Sequence, residues 1–380
     1  MDLFLHIGTE KTGTTSVQKF FKANRELLKR NGIVYPAAPG NQNHTGLAAS
    51  AQDEEKRGPL RKSLGIKNRA DVLRFRAEML TELAAELSER PYKTAFMSGE
   101  HCSSRLLDDV EVQWLKDELG RFFDKMHIIV YIRRQDDYLL STYSTSVKSG
   151  STNPLRIPPD RTIEQRYDHW DMLQRWARVF GRDKVICRKF ERATLKSGDI
   201  VDDVMDIAGI DPALGFERPE DVNEALDAET LEFLRLFNKF VPRFEGKDIN
   251  PLRDNIVPLL SKVSSGPLVT LGEDELDRFM ALFRESNARV ADAYFGGPIS
   301  GSDNPLFKPR SDKRERTRQV VLTPERAVEL CAWLWQEKQA QLDRIAERAK
   351  RNKAAAVEAR RERRRGAGAR DGHGDAADDD

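Results

Sequence analysis

Cysteine is scarce. Three residues in 380, at positions 102, 187 and 331, are too few and too scattered for a disulfide framework or a cysteine metal cluster. Reduced thiols are the expectation. Excess charge of either sign is also missing: 63 lysines and arginines stand against 62 aspartates and glutamates. No global field favours nucleic acid, so any anion site must be local. No stretch approaches the ~20 apolar residues of a membrane span. The first apolar stretch follows Asp2 and runs into a glycine loop, with no signal-peptide pattern. A cytoplasmic protein without an integral membrane segment is therefore expected. No internal repeat is visible. What remains is a globular chain with a very polar surface, long enough for one large α/β domain with additions, or for two domains.

Apolar strand patterns alternate with helical ones through the first half. Strands are expected at residues 3–7, 33–35, 93–98, 127–132 and 184–188. Helices are expected at 15–30, 70–90, 109–123, 136–149, 162–180 and 198–208. The run His127-Ile128-Ile129-Val130-Tyr131-Ile132 is continuously apolar and suits a strand buried on both faces. This is the pattern of a parallel sheet covered by helices. Residues 37–68 carry Gly, Pro, Asn and charge without periodicity and read as loops or a flap. After residue 220 the strand patterns vanish. Helices are expected near 228–241, 250–264, 273–295 and 323–350, with Thr323-Pro324 as cap and first residue of the last. Beyond Ile345 the apolar period fails, and residues 350–380 read as a charged, disordered tail. The expected division is a core at 1–215, a helical extension at 216–349 that completes the core or forms a lid or interface, and the tail.

The densest chemical signal is Leu3-Phe4-Leu5-His6-Ile7-Gly8-Thr9-Glu10-Lys11-Thr12-Gly13-Thr14-Thr15-Ser16. It reads as strand, glycine-bounded loop and helix start. Backbone N–H groups at such a junction cradle phosphate, helped by the positive end of the helix. Gly8 and Gly13 keep the glycine spacing of the P-loop G-x-x-x-x-G-K-[ST]. Its lysine is absent, however: Thr14 stands there, and the cation has moved into the loop as Lys11. A second signal is Tyr131-Ile132-Arg133-Arg134, where the strongest strand ends, with Ser141 eight residues after Arg133. Ligands of open α/β sheets bind beyond the carboxyl ends of strands. One guanidinium and one hydroxyl there can clamp a phosphate monoester. A third is Ser98-Gly99-Glu100-His101, another strand end, which offers two candidate general bases. His44, in Asn41-Gln42-Asn43-His44-Thr45, reads as a surface loop histidine that could also touch a substrate. His6 reads as a core residue.

Lys11-Thr12-Gly13-Thr14-Thr15-Ser16 resembles the 5′-phosphosulfate loop of the sulfotransferases. Their donor is 3′-phosphoadenosine 5′-phosphosulfate (PAPS). Arg133 and Ser141 resemble the arginine and serine that hold its 3′-phosphate; Arg134 is the weaker candidate. Residues 167–191 and 287–295 also look like bacterial sulfotransferase-like proteins. The resemblance implies a P-loop-like α/β fold. It implies PAPS bound by Lys11, Thr12, Gly13, Thr14, Thr15, Ser16, Arg133 and Ser141, with Lys11 stabilising the leaving phosphate. It implies a base at Glu100 or His101, and carbohydrate-type members favour glutamate. His44 is a possible acceptor contact. The acceptor would be a hydroxylated small molecule or a glycan, and no metal is required in principle. One departure stands out. The Arg-Lys-Gly-rich loop that closes over the nucleotide in small-molecule sulfotransferases has no match here, and the nearest basic loop is Lys308-Pro309-Arg310 with Lys313-Arg314.

Two other readings compete. A nucleotide kinase or NTPase would need lysine at position 14 and an apolar strand ending in aspartate. A scaffold or nucleic-acid binder would act through the late helices and the Arg360–Arg365 run.

Overall fold

Leu3, Leu5 and Ile7 alternate with Phe4 and His6, and Ile128, Val130 and Ile132 alternate with Ile129 and Tyr131. Side chains along a strand point to opposite faces in turn. The two sets seed two cores, one on each face of a single sheet. The computed structural model describes residues 1–219, 225–246, 248–253, 255–300, 304–308, 315–318 and 320–357, and the backbone alone of 358–368. Its central sheet has five strands: β1 (Asp2–His6), β2 (Ile33–Val34), β3 (Thr94–Ser98), β4 (Lys125–Ile132) and β5 (Val185–Lys189). All pair in parallel, in the order β2-β3-β1-β4-β5. The strand order reverses at β1, whose neighbours β3 and β4 lie on opposite sides.

The helices before residue 220 are α1 (Thr14–Ala23), α2 (Arg25–Arg30), α3 (Thr45–Ala51), α4 (Pro59–Ser63), α5 (Arg69–Leu87), α6 (His101–Arg105), α7 (Asp109–Leu119), α8 (Gln135–Lys148), α9 (Asp160–Tyr167), α10 (His169–Phe180) and α11 (Ile200–Ile207). After it come α12 (Ala228–Phe240), α13 (Ile256–Ser261), α14 (Glu273–Ala281), α15 (Arg284–Phe295) and α16 (Pro324–Gly368). One face of the sheet packs on α1, α2 and α11 through Val17, Phe20, Phe21, Leu28, Ile200 and Val204. The other packs on α3, α5, α7, α10 and α15, with Trp176 fully buried.

Three expectations change. The 15–30 helix is two helices, because Asn24 leaves helical geometry and its amide donates to the carbonyls of Phe20 and Glu217 (both 2.9 Å). The 162–180 helix also divides. Asp168 interrupts it and caps α10, its carboxylate accepting from Asp171 N–H. Residues 37–68 are not a flap: α3 and α4 lie there, and the buried Arg61 donates to the carbonyls of Ala49, Gln52, Asp53 and Lys56 at 2.6–3.0 Å. An arginine that satisfies loop carbonyls leaves no periodic trace in sequence.

The chain divides into two compact units. The first comprises Met1–Ser146, Asn153–Asn223 and Thr270–Arg318, and the second Val147–Thr152, Glu224–Val269 and Gln319–Asp380. α14 and α15 belong to the first unit, with the sheet. In the second unit Asp227 caps α12 and accepts from Ser264 Oγ at 3.0 Å. A two-residue antiparallel pair, Phe244–Glu245 with Asp248–Ile249, accompanies the helices. Thr323 caps α16, its hydroxyl accepting from Arg326 N–H at 3.1 Å, and Leu330 and Leu334 are buried on that helix. The helix runs on to Gly368, where the loss of apolar period predicts fraying, and residues 369–380 lie outside the described residues.

Phe21 stacks on Phe96 with centroids 3.9 Å apart and lies against Tyr35 at 5.3 Å. Phe21→Ala should lower unfolding free energy by about 3–5 kcal/mol, read from urea denaturation. A loss below about 1 kcal/mol would show that this face of the sheet does not hold the fold.

Candidate functional site

β1 keeps pairing with β4 past its own end. Ile7 N–H donates to Ile129 O (2.9 Å), Tyr131 N–H to Gly8 O (2.7 Å) and Thr9 N–H to Tyr131 O (2.8 Å). The loop is then tied across itself, with the buried Thr12 hydroxyl donating to Thr9 O at 2.6 Å. That hydroxyl is spent inside the loop, so Thr12 offers a ligand its backbone rather than its side chain. Lys11 (φ 66°) and Gly13 (φ 75°) both take left-handed backbone geometry. Glycine does so without steric cost, whereas lysine does not. A Cβ on Gly13 would meet Ile200 and Phe190 at 3.1 and 3.2 Å, and one on Gly8 would meet the Glu100 Cβ at 3.0 Å. The two glycines thus bring the loop onto the sheet's end and against the candidate base. α1 begins at Thr14, so the N–H groups of Thr14 and Thr15 have no acceptor inside the helix.

Two cations meet here. Arg133 leaves the end of β4 and donates from Nη1 to Lys11 O at 3.0 Å. Its guanidinium lies 5.8 Å from the Phe190 ring centroid, and its own carbonyl accepts from His169 Nε2 at 2.8 Å. Lys11 is half-buried and makes no ion pair among the described residues. Burial holds its ammonium below the usual pKa, Glu10 and Glu100 oppose that, and Arg133 adds to it. Ser141 is half-buried on α8. Arg134 is turned to structural use, gripping Asp136 with two bonds (3.0 and 3.2 Å) and donating to Lys308 O at 3.0 Å.

The two carboxylates of the region have separate partners. Glu100 follows β3 and opens α6. It accepts from Gln18 Nε2 at 2.7 Å and from Asn43 Nδ2 at 2.9 and 3.0 Å. Among the described residues it makes no ion pair, so it is not glue for Lys11 or Arg133. The ion-paired carboxylate is Glu10, with Arg105 and Arg166 at 3.6 and 3.7 Å, Ser104 Oγ at 3.0 Å and Tyr138 OH at 3.2 Å. Burial works to raise the Glu10 pKa, but Arg166, Arg105 and the Ser104 hydroxyl bring it below the usual value. His101 sits beside Glu100 with Nδ1 buried and unbonded.

Beneath Glu100 lies a neutral network. Ser98 Oγ bonds His6 Nδ1 (2.9 Å) and accepts from Gln18 Nε2 (3.3 Å), and Ser98 N–H donates to His44 Nδ1 at 2.8 Å. His44 is fully buried rather than on the surface, and Nε2 donates to Pro36 O at 2.8 Å. Both its ring nitrogens are used, so its role is to pin the 36–44 segment to β3. It presents no nitrogen to a substrate.

Gln18, Asn43 and Glu10 were missed in the sequence. Gln18 had a legible signal: it is a polar residue on the Val17-Phe20-Phe21 face of α1, where only a paired amide is tolerated. Asn43 and Glu10 had none, since their partners come from distant elements. A groove of about 610 Å³ lies between residues 37–40 and α5 and includes none of these residues.

Burial lowers the His6 pKa to about 3 and the His44 pKa to about 4. Unfolding exposes both rings at the ordinary value near 6.5. The unfolded chain then binds protons that the native state refuses. Stability should be full above pH 6.5 and fall towards pH 4, by about 1 kcal/mol per pH unit for each ring. Urea midpoints across this window check it. A flat profile would mean that the rings are not held neutral.

No protein-family profile matches the chain. A stretch of 173 residues is 27% identical to an uncharacterized protein of Archaeoglobus fulgidus, covering 44% of this chain and 46% of that one. The chain thus spans about half the length of this curated relative. Among solved structures, a sulfotransferase from Alicyclobacillus acidocaldarius matches over 58% of this chain and 85% of its own, at 16% identity and a TM-score of 0.36.

Proposed function

We propose that the chain is a PAPS-dependent sulfotransferase whose acceptor is a hydroxyl, with a glycan as the preferred class. The observation that carries the reading is the bond from Arg133 Nη1 to Lys11 O at 3.0 Å. It joins the phosphate-cradle loop to the second cation at the end of β4, so that a doubly phosphorylated adenosine can touch both. The residues suit that ligand. Gly8 and Gly13 keep the cradle open, Thr14, Thr15 and Ser16 begin a helix whose positive end favours an anion, and Lys11 makes no ion pair among the described residues.

PAPS supplies an activated sulfuryl group with adenosine 3′,5′-bisphosphate as leaving group. The chain would supply the rest. Backbone N–H groups of residues 13–15 and the Lys11 ammonium neutralise charge on the 5′-phosphate oxygen as the bond to sulfur breaks. Arg133 and Ser141 hold the 3′-phosphate. Glu100 takes the acceptor hydroxyl proton. Gln18 and Asn43 fix that carboxylate, which leaves Glu100 a better placed base than its neighbour His101. The kinase alternative has no equivalent support. The strands flanking β1 run into Gly99-Glu100 and Arg133, not into an aspartate.

Adenosine 3′,5′-bisphosphate should raise the melting temperature, and ATP with Mg²⁺ should not. Arg133→Ala should abolish the shift. Stabilisation by ATP–Mg²⁺ alone would sink the proposal in favour of the kinase. With sulfur-labelled PAPS and a panel of hydroxylated acceptors, Glu100→Gln should lower kcat roughly 10²–10⁴-fold while nucleotide binding persists. Full turnover by that variant would move the base to His101.

A further inference from the structure

α16 carries an apolar stripe that its own unit leaves uncovered. Leu330 and Leu334 are buried, but Val328, Trp335, Leu342 and Ile345 are 67%, 75%, 60% and 65% exposed. Val328, Trp335 and Leu342 are spaced seven apart. Cys331, also exposed, lies three after Val328, and Ile345 three after Leu342. These are the a and d positions of a coiled-coil seam, where spacing by sevens keeps one edge facing a partner helix. Single exposed apolar residues need no explanation. Five on one seam of a single helix do.

Charge identifies the occupant. Residues 324–343 contain four acidic and two basic side chains, whereas residues 344–357 contain one acidic and five basic. The first part is therefore net negative and the second net positive. A helix with this polarity is complementary to itself only when reversed. In-register parallel pairing would also set the Lys338 ammonium, at a d position, against its own copy. Reversed, with Val328 level with Ile345 of the second copy, the seam places Cys331 level with Leu342 and Trp335 level with Lys338. That last pair suits a cation on an aromatic face. We infer that the exposed seam of α16 is a self-association surface, on which a second copy of this chain packs antiparallel as a two-fold dimer.

Sedimentation or light scattering on the full chain should give twice the 43.3 kDa of one copy. Trp335→Glu, a change at an exposed position, should return it to one copy. Orientation is read with a short bismaleimide. Leu342→Cys should cross-link through Cys331 of the second copy. The unmodified chain should not cross-link, because its two Cys331 residues lie 11 positions apart along the antiparallel pair, about 16 Å at ~1.5 Å per residue. Cross-linking of the unmodified chain at Cys331 would overturn the antiparallel arrangement. A single-copy mass at all concentrations, or a dimer indifferent to Trp335→Glu, would overturn the surface itself, leaving a nucleic-acid or heterologous partner to be sought. None of these readouts depends on sulfuryl transfer.

Discussion

The parallel pairing of β1 with β4 sets the geometry of everything that follows. Strand pairs commonly release the chain where the sheet ends. Here the ladder continues through Gly8 and Thr9 on one side and Tyr131 on the other. Two residues beyond that last rung stand Lys11 and Arg133. Their proximity is therefore a matter of register, and a one-residue slip would turn each to the wrong face. The guanidinium bond to Lys11 O closes the arrangement. A loop that would otherwise be free becomes an extension of the sheet, and the left-handed backbone at Lys11 is held by bonds on both flanks.

The acidic residues show a division of labour. Glu10 lies inside the loop but is surrounded by Arg105, Arg166, Ser104 and Tyr138, and so holds the loop to α6, α8 and α9. Glu100 lies at the end of β3, accepts from the Gln18 and Asn43 amides, and makes no ion pair among the described residues. A carboxylate engaged by arginines is a poor proton acceptor, because their charge stabilises its ionised form. Gln18 and Asn43 fix the orientation of the Glu100 carboxylate. Below it lies the buried network of His6, Ser98 and His44, whose rings burial holds neutral.

Much of the fold was legible because it rests on local periodicity. The five strands, the alternation that splits Leu3 from Phe4 and Ile128 from Ile129, and the cap at Thr323 all follow from residues close in sequence. The failures share one cause. Asn24 and Asp168 break helices through side-chain bonds that compete with the helix ladder. Arg61 orders the 50–57 loop by donating to carbonyls that no pattern marks. At the site, the glycine loop, Arg133 and Glu100 could be read from residue type and position at strand ends. His44 could not: a histidine among Asn and Gly reads as surface until its two acceptor and donor partners, Ser98 N–H and Pro36 O, are seen.

The sequence by itself determined the parallel helix-covered sheet, the displacement of the loop cation to Lys11 and the set of polar side chains placed at strand ends. Those are properties of spacing, and spacing is written in one dimension. Only the tertiary structure decided which of those polar groups act on one another. It gave Glu100 to Gln18 and Asn43, gave Glu10 to the arginines, and turned Arg134 inward to Asp136. The physical reason is that hydrogen bonds and ion pairs reach only a few ångströms, while the partners lie from two to more than one hundred residues apart along the chain.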